Sequence, residues 1–224
     1  SLINDILDMS RIESGKMLLK NEKIPMEDFL NGLNVICYSQ AAAKGVDYEC
    51  IASPTLDDCY MGDAMKLQQV LLNILSNAIK FTREGGKVTF SAELRKKVKK
   101  SAKLRFIVND NGIGISDEFL HHIFEPFAQE SMGTTALYGG TGLGLAISKS
   151  IVDMMSGKIT VRSIKGIGSE FTVDVELGIT DEELHRRNRK KAHPQFADLK
   201  TLVVDDDMMV CESAVNTLKE MGIT

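Results

Sequence analysis

Residues 63–82 constrain the fold of this chain more than any other stretch. Leu67, Val70, Leu71, Ile74, Leu75 and Ala78 recur at the spacing of one helix face, and Asp63 stands where an N-cap carboxylate would accept from the first turn. A helix of about 20 residues runs roughly 30 Å, so its apolar stripe needs a cover of similar length. The chain offers that cover as strands. Residues 87–94 and 103–109 read as an antiparallel pair, and residues 158–163 and 170–176 as a hairpin turned through Gly166 and Gly168. Residues 46–51 alternate weakly, with Val46, Tyr48 and Cys50 on one side. Further helices are expected at 26–44, closed by Gly45, at 117–124, and at 142–156, ended by Gly157. Runs of strands with the helices on one side predict an α+β, two-layer α/β sandwich and not a doubly wound parallel sheet.

The ends differ from this middle. Residues 1–20 read as a helix with Leu2, Ile6, Met9 and Glu13 on one stripe and Ile3, Leu7 and Ile12 beside it. Such a wide apolar face fits either one arm of a helical hairpin in a bundle or a helix packed on its own domain. Residues 180–199 read as a linker, with a basic run at Arg186–Lys191 and a break at Pro194. A new apolar strand, Thr201-Leu202-Val203-Val204, leads into Asp205-Asp206-Asp207 and a further helix.

Four polar segments interrupt the apolar pattern. Asn73, Asn77 and Lys80 fall at i, i+4 and i+7, on one face of the long helix. Amide oxygens are hard ligands for Mg²⁺ and an ammonium is a point charge for phosphate, although polar helix faces are also common without any ligand. Asp110-Asn111-Gly112-Ile113-Gly114-Ile115 follows a strand directly; its carboxylate can accept from an exocyclic amine, and a plain turn would account for the glycines equally. Ile123-Phe124-Glu125-Pro126-Phe127 reads first as packing, with a second use as the anchor of the Gly/Ser/Thr-rich loop at 128–141. Gly139-Gly140-Thr141-Gly142-Leu143-Gly144-Leu145 opens a helix, where freed backbone N–H groups form an anion cradle. Leu145 occupies the third glycine position of a dinucleotide fingerprint, and no Gly-Lys-Ser/Thr follows, so neither the Rossmann nor the Walker pattern applies.

In this order and spacing the four segments resemble the N, G1, F and G2 boxes of the sensor histidine kinases, and the resemblance covers nearly the whole chain. It implies the Bergerat-type ATP-binding fold over residues 21–179, with ATP and Mg²⁺ as ligands. Residues 1–20, through Leu2-Ile3-Asn4-Asp5-Ile6-Leu7-Asp8-Met9-Ser10, resemble the end of the second dimerisation helix. Residues 200–224 resemble the start of a receiver domain, incomplete here, which makes the parent a hybrid kinase. The resemblance implies that Asn77 ligates Mg²⁺, that Asn73 assists and that Lys80 contacts phosphate. It gives Asp110 the adenine, with Gly112 and Gly114 admitting the base, and makes residues 128–139 the ATP lid. Gly140, Gly142 and Gly144 would cradle the phosphates, Ser169 would reach the adenine side, and Ile115, Phe124, Thr141 and Leu143 would complete the ATP contacts. Asp205 and Asp206 resemble the acidic pair that binds Mg²⁺ in receivers; a capping turn before a helix is the other reading.

The same nucleotide fold serves heat-shock chaperones, type II topoisomerases and mismatch-repair ATPases, which resemble one another in placing a Glu one turn before the metal-binding Asn. Here that residue is Asn73, and an amide does not take a proton from water at neutral pH. The expected activity is therefore transfer of the γ-phosphoryl group to a histidine outside this chain, for relay to a receiver aspartate. The four histidines, His121, His122, His185 and His193, lack the His-Glu or His-Asp context of the family's acceptor, and His121 and His122 read as surface or packing residues. Ala136 and Leu137 replace the basic residues that many hybrid kinases carry before Tyr138, which motivates an alternative: a nucleotide-binding scaffold without transfer.

Expected partners are the kinase's own dimerisation and phosphoacceptor domain and a response-regulator receiver, with a homodimer in the full-length protein. A net charge of -4 speaks against a nucleic-acid partner. No apolar run approaches the roughly 18 residues of a membrane span, and the chain is expected to be an internal cytoplasmic segment whose parent can be anchored upstream. Cys37, Cys50, Cys59 and Cys211 form no Cys-x-x-Cys pair and read as buried reduced thiols.

Overall fold

In the computed structural model, residues 2–130, 141–180 and 215 are described. The chain divides into two units, Ser1–Thr180 and Asp181–Thr224; the fold below is that of the first. The expected linker, the receiver start and Asp205 and Asp206 lie outside the described residues, as do Gly140 and the expected lid from residue 131 onward.

The long helix forms as its spacing predicts. α3 (Ala64–Phe81) starts at Asp63, whose carboxylate accepts from the Lys66 N–H at 2.9 Å, and ends where Thr82 turns extended. Leu67, Val70, Leu71, Ile74 and Leu75 are almost fully buried against the sheet. Its cover consists of β4 (Lys87–Lys97), β5 (Ser101–Asp110) and β7 (Gly168–Ile179), each alternating buried and part-exposed positions with the period of two that one covered face demands. Phe90 and Phe106, on adjacent strands, stack with ring centroids 6.2 Å apart in the middle of this core.

The sheet order is β1-β3-β7-β5-β4-β2, with β6 (Lys158–Ile164) also paired to β7. Every pairing is antiparallel except that of β2 (Asp47–Ala52) with β4, joined by a crossover through β3 and α3. α2 (Met26–Lys44) packs beside α3 and β2, and a further helix, labelled α5 below, packs on the other side of α3. On the opposite sheet face Arg105 and Asp174, register partners on β5 and β7, form a two-pronged pair at 2.7 and 2.8 Å.

Several boundaries differ from the sequence expectation. β1 (Glu22–Pro25) and β3 (Cys59–Gly62) were not expected: each is four residues long and buries one side chain deeply, Ile24 or Tyr60, so neither shows an alternation. The first helix, α1 (Leu2–Glu13), stops well before residue 20. Gly15 takes φ +64 there, and the Gly15 and Lys16 N–H groups return to the Ile12 and Arg11 carbonyls, a left-handed helix end that glycine makes cheap. α4 is a single turn, Asp117–Leu120, capped by Ser116, and residues 121–127 continue as turns. α5 (Gly144–Met154) is two residues shorter at each end than the expected 142–156. The basic run near residue 98 forms the β4–β5 turn, where Lys97 pairs with Asp57. His121 and His122 are exposed, Cys37 is buried, and Cys50 and Cys59 are half-buried free thiols. Among the described residues no helix is long and apolar enough to cross a membrane.

Candidate functional site

A cavity of about 530 Å³ opens between α3, the end of β5, the β6–β7 hairpin and the start of α5. That volume is in the range of small-molecule sites. The sheet and helix periodicities bring its polar groups together. Asn73, Asn77 and Lys80 line one wall, Asp110, Gly114, Ile115 and Ser169 another, and Thr141, Gly142 and Gly144 a third.

Asp110 is the last residue of β5 and is 7% exposed. Burial raises its carboxyl above the ordinary range, and hydrogen bonds from the Gly112 and Ser169 backbone pull it back in part. The Gly112 N–H donates to Asp110 Oδ1 at 2.9 Å. Gly112 therefore stands behind the carboxylate and does not line the cavity. Gly114 takes φ +62, and a Cβ there would run into the Ile164 carbonyl, so no other residue fits without moving the hairpin. One hydroxyl ties this end together: Ser163 Oγ accepts from the Ile115 N–H at 2.8 Å, donates to the Gly168 carbonyl at 2.8 Å and lies 3.0 Å from Ser169 Oγ.

The opposite end is built from turns. Asn73 Nδ2 donates to the buried Ser148 Oγ at 3.0 Å, and the start of α5 at Gly144 rests on the Asn73 amide. Gly142, at φ +68, lies so close to Phe127 that a Cβ would meet its backbone at 2.8 Å. Phe127 itself takes φ +63, a left-handed conformation unfavourable for an aromatic residue, and its N–H donates to the Gly142 carbonyl at 3.0 Å. This backbone contact joins the segment expected as the loop's anchor to Gly142, just past the loop, of which residues 131–140 lie outside the described residues. Phe124 does not line the cavity, whereas its neighbours Phe119 and Ile123 do. Leu143 is fully buried in the core, its N–H donating to Thr141 Oγ1 at 3.2 Å.

Lys80 lies in a cationic neighbourhood. Burial lowers its pKa, and the nearby charge of Lys44 lowers it further. Lys44, from the last turn of α2, donates to the Ile79 carbonyl at 3.0 Å and to the Lys80 carbonyl, where the negative end of the α3 dipole favours a cation.

The wall also contains residues that the motifs did not single out. Asp5 and Gln69 lie in it, and Glu130, within the segment expected as the lid, accepts from the Ser116 N–H at 3.0 Å and from Lys165 Nζ at 2.8 Å. Gln69 was legible, one turn before Asn73 on the same face. Asp5 was not, because tertiary packing alone brings it in, while Glu130 lay within the expected lid without being singled out by any spacing.

The donor set fits a metal-bound nucleotide. No group of three or more His, Cys, Asp or Glu among the described residues could hold a metal alone. A Mg²⁺ here would take the Asn77 amide oxygen and fill its remaining positions from phosphate oxygens and water, its usual habit. A buried carboxylate beside glycine backbone suits the exocyclic amine and edge of a base.

Comparison with known proteins agrees. The family described as histidine kinase-, DNA gyrase B- and HSP90-like ATPases matches residues 62–179, and the chain belongs to it. Its ATP-binding domain is of the histidine kinase type: the chain is 34% identical over 223 residues to Sensor protein GacS of Pseudomonas syringae pv. syringae, across 100% of its own length and 24% of that protein's. It is 38% identical over 210 residues to the autoinducer 2 sensor kinase/phosphatase LuxQ of Vibrio vulnificus, across 92% and 24%. The chain thus spans about a quarter of each of these relatives. Among solved structures, full-length ShkA in complex with AMPPNP superposes with a TM-score of 0.68 at 26% identity, over 99% of this chain and 43% of that one. The catalytic domain of histidine kinase ThkA gives 0.57 at 25% identity, over 70% and 95%.

Proposed function

We propose that this chain is the catalytic part of a hybrid sensor histidine kinase and transfers the γ-phosphoryl group of ATP to a histidine carried outside residues 1–224. The observation that supports this most is the single cavity joining the Asn73, Asn77 and Lys80 face of α3 to Asp110 and to the glycine-rich start of α5. Asp110 accepts from the adenine amine, with the Ser169 region closing that side. Lys80 and the N–H groups opening α5 hold phosphate oxygens. Asn77 would hold Mg²⁺, which would supply charge neutralisation to the transferred group. The bond from Pγ to the β–γ bridging oxygen breaks, ADP leaves with that oxygen and its electron pair, and the lone pair of a neutral imidazole nitrogen forms the P–N bond; the protein contributes position and charge, with no covalent step of its own. The Asn73 amide cannot accept a proton from water, and its Nδ2 donates to Ser148 Oγ, so hydrolysis is slow. The phosphorylated imidazole then supplies a receiver aspartate. The acceptor histidine, the dimerisation partner and the receiver belong to the parent protein.

The test mixes the chain with labelled ATP, Mg²⁺ and a separately made dimerisation domain that carries its histidine. Expected are label on the added domain, its loss with Asn77→Ala, and phosphate release no faster than background. ATP bound without any transfer would overturn the kinase reading in favour of a nucleotide-binding scaffold. Phosphate release without transfer would mark a water-hydrolysing ATPase.

A further inference from the structure

One wall residue of the cavity has no part in the chemistry above: Asp5, on α1. α1 is held down by two carboxylates. Asp8 Oδ2 accepts from Lys66 Nζ at 3.0 Å and from Gln69 Nε2 at 2.9 Å, on the first turns of α3. Asp5 Oδ2 accepts from Thr141 Oγ1 at 3.2 Å, and among the described residues no cation pairs with it. Apolar burial is partial: Ile3, Ile6 and Leu7 are 71%, 50% and 51% exposed, whereas Met9 and Ile12 are half-buried. Charge and hydrogen bonds therefore supply part of the hold on the helix, a part that a change of charge nearby can upset.

The two carboxylates differ in what they face. Asp8 has a lysine. Asp5 lies in the wall of the cavity, beside the start of α5, where its partner among the described residues is a hydroxyl that a phosphate oxygen would also accept from. A nucleotide phosphate chain and the Asp5 carboxylate are like charges competing for one donor, in a part-buried place where screening is weak.

From this we infer that Asp5 is a nucleotide-responsive clasp: docked α1 and bound ATP oppose each other through Asp5, so ATP loosens α1 and α1 discriminates against the more highly charged nucleotide. The inference rests on the nucleotide reading of the cavity. Coupling of this kind is reciprocal, so whatever factor ATP takes from docking, docking takes from ATP affinity. Asp5 is a positioning residue in this scheme, acting on α1 and not on the reacting atoms.

The experiment measures AMPPNP and ADP binding by calorimetry with Mg²⁺, and hydrogen exchange of residues 2–13, in the 224-residue chain and in Asp5→Asn and Asp8→Asn. Asp5→Asn keeps an acceptor for Thr141 and removes the charge. The expected results are faster exchange in α1 when AMPPNP binds, less so with ADP, and AMPPNP affinity raised roughly fivefold or more in Asp5→Asn, with a smaller gain for ADP. Asp8→Asn releases α1 without nucleotide and gains affinity in the same direction. Equal affinities in all three proteins, with α1 exchange indifferent to nucleotide, overturn the clasp and leave the kinase reading intact. Weaker AMPPNP binding in Asp5→Asn also overturns it, because Asp5 would then be helping to hold the metal. Absence of nucleotide binding by the parent chain overturns the clasp and the kinase reading together.

Discussion

The two ends of the cavity are made differently. At the Asp110 end every polar group is placed by sheet register: Asp110 sits opposite Ser169 on β7, and Ser163 sits opposite Ser169 on β6. Backbone and hydroxyl groups there satisfy one another, and the surrounding strands leave little room to move. At the Thr141 end the same task falls to turns, a left-handed phenylalanine and a side-chain contact from a helix 136 residues away in sequence. A base has one shape and is well served by a fixed frame. A phosphate chain that arrives with three groups and leaves with two is better served by parts that can shift.

If that contrast is right, damage to the fixed end should reach both stability and binding. Gly114→Ala carries the largest expected effect, since both φ and the Ile164 carbonyl oppose a side chain. Urea unfolding should show a loss of about 2–4 kcal/mol, with nucleotide binding abolished. A loss below ~1 kcal/mol would mean that the hairpin gives way easily and that the frame is not rigid.

Asp110→Asn separates the two properties. Loss of a charged acceptor for the adenine amine should weaken ATP binding by about 2 kcal/mol, roughly thirtyfold, while stability at neutral pH changes by less than ~1 kcal/mol or rises. The sign follows from linkage. The folded-state pKa of Asp110 is raised by burial, so its contribution to stability is fully present below its unfolded value and is lost as pH rises through the folded value. The amide has no such loss. ATP affinity of the parent protein should run the other way, falling as acid protonates Asp110, and Asp110→Asn should flatten that part of the profile. A parent protein whose affinity does not change across this range would show that the carboxylate charge is not what reads the base.

The smallest effect is expected at the turn-built end. Phe127→Gly relieves a left-handed φ in a side chain that is 67% exposed, and should raise the melting free energy by about 1 kcal/mol. A fall in stability instead would show that the ring is packed more firmly than its exposure implies.

The fixed end is also the more legible in sequence. The period of two in residues 87–110 and 168–179 sets Asp110 at a strand end, and the helical stripe of 63–82 sets Asn77 on the polar face of its helix; both line one cavity. Gly45 and Asp63 mark their helix ends by local chemistry alone. What stayed hidden has a common cause. β1 and β3 are too short to show a period, and Asp5 enters the cavity through long-range packing that no local spacing encodes. Leu143 and Phe124 sat inside the right motifs but face the core or stand away from the cavity, since a motif fixes the backbone path more firmly than it fixes each side chain's direction.

Asp63 has a consequence beyond capping. One of its oxygens accepts from Lys66 N–H, the other from Lys20 N–H at 2.9 Å. The segment leaving α1 is thus moored to the first turn of α3, about four helical turns from Asn77. One carboxylate thus sets both where the approach from α1 ends and where the helix that carries the amides begins, so the two share a single anchor point.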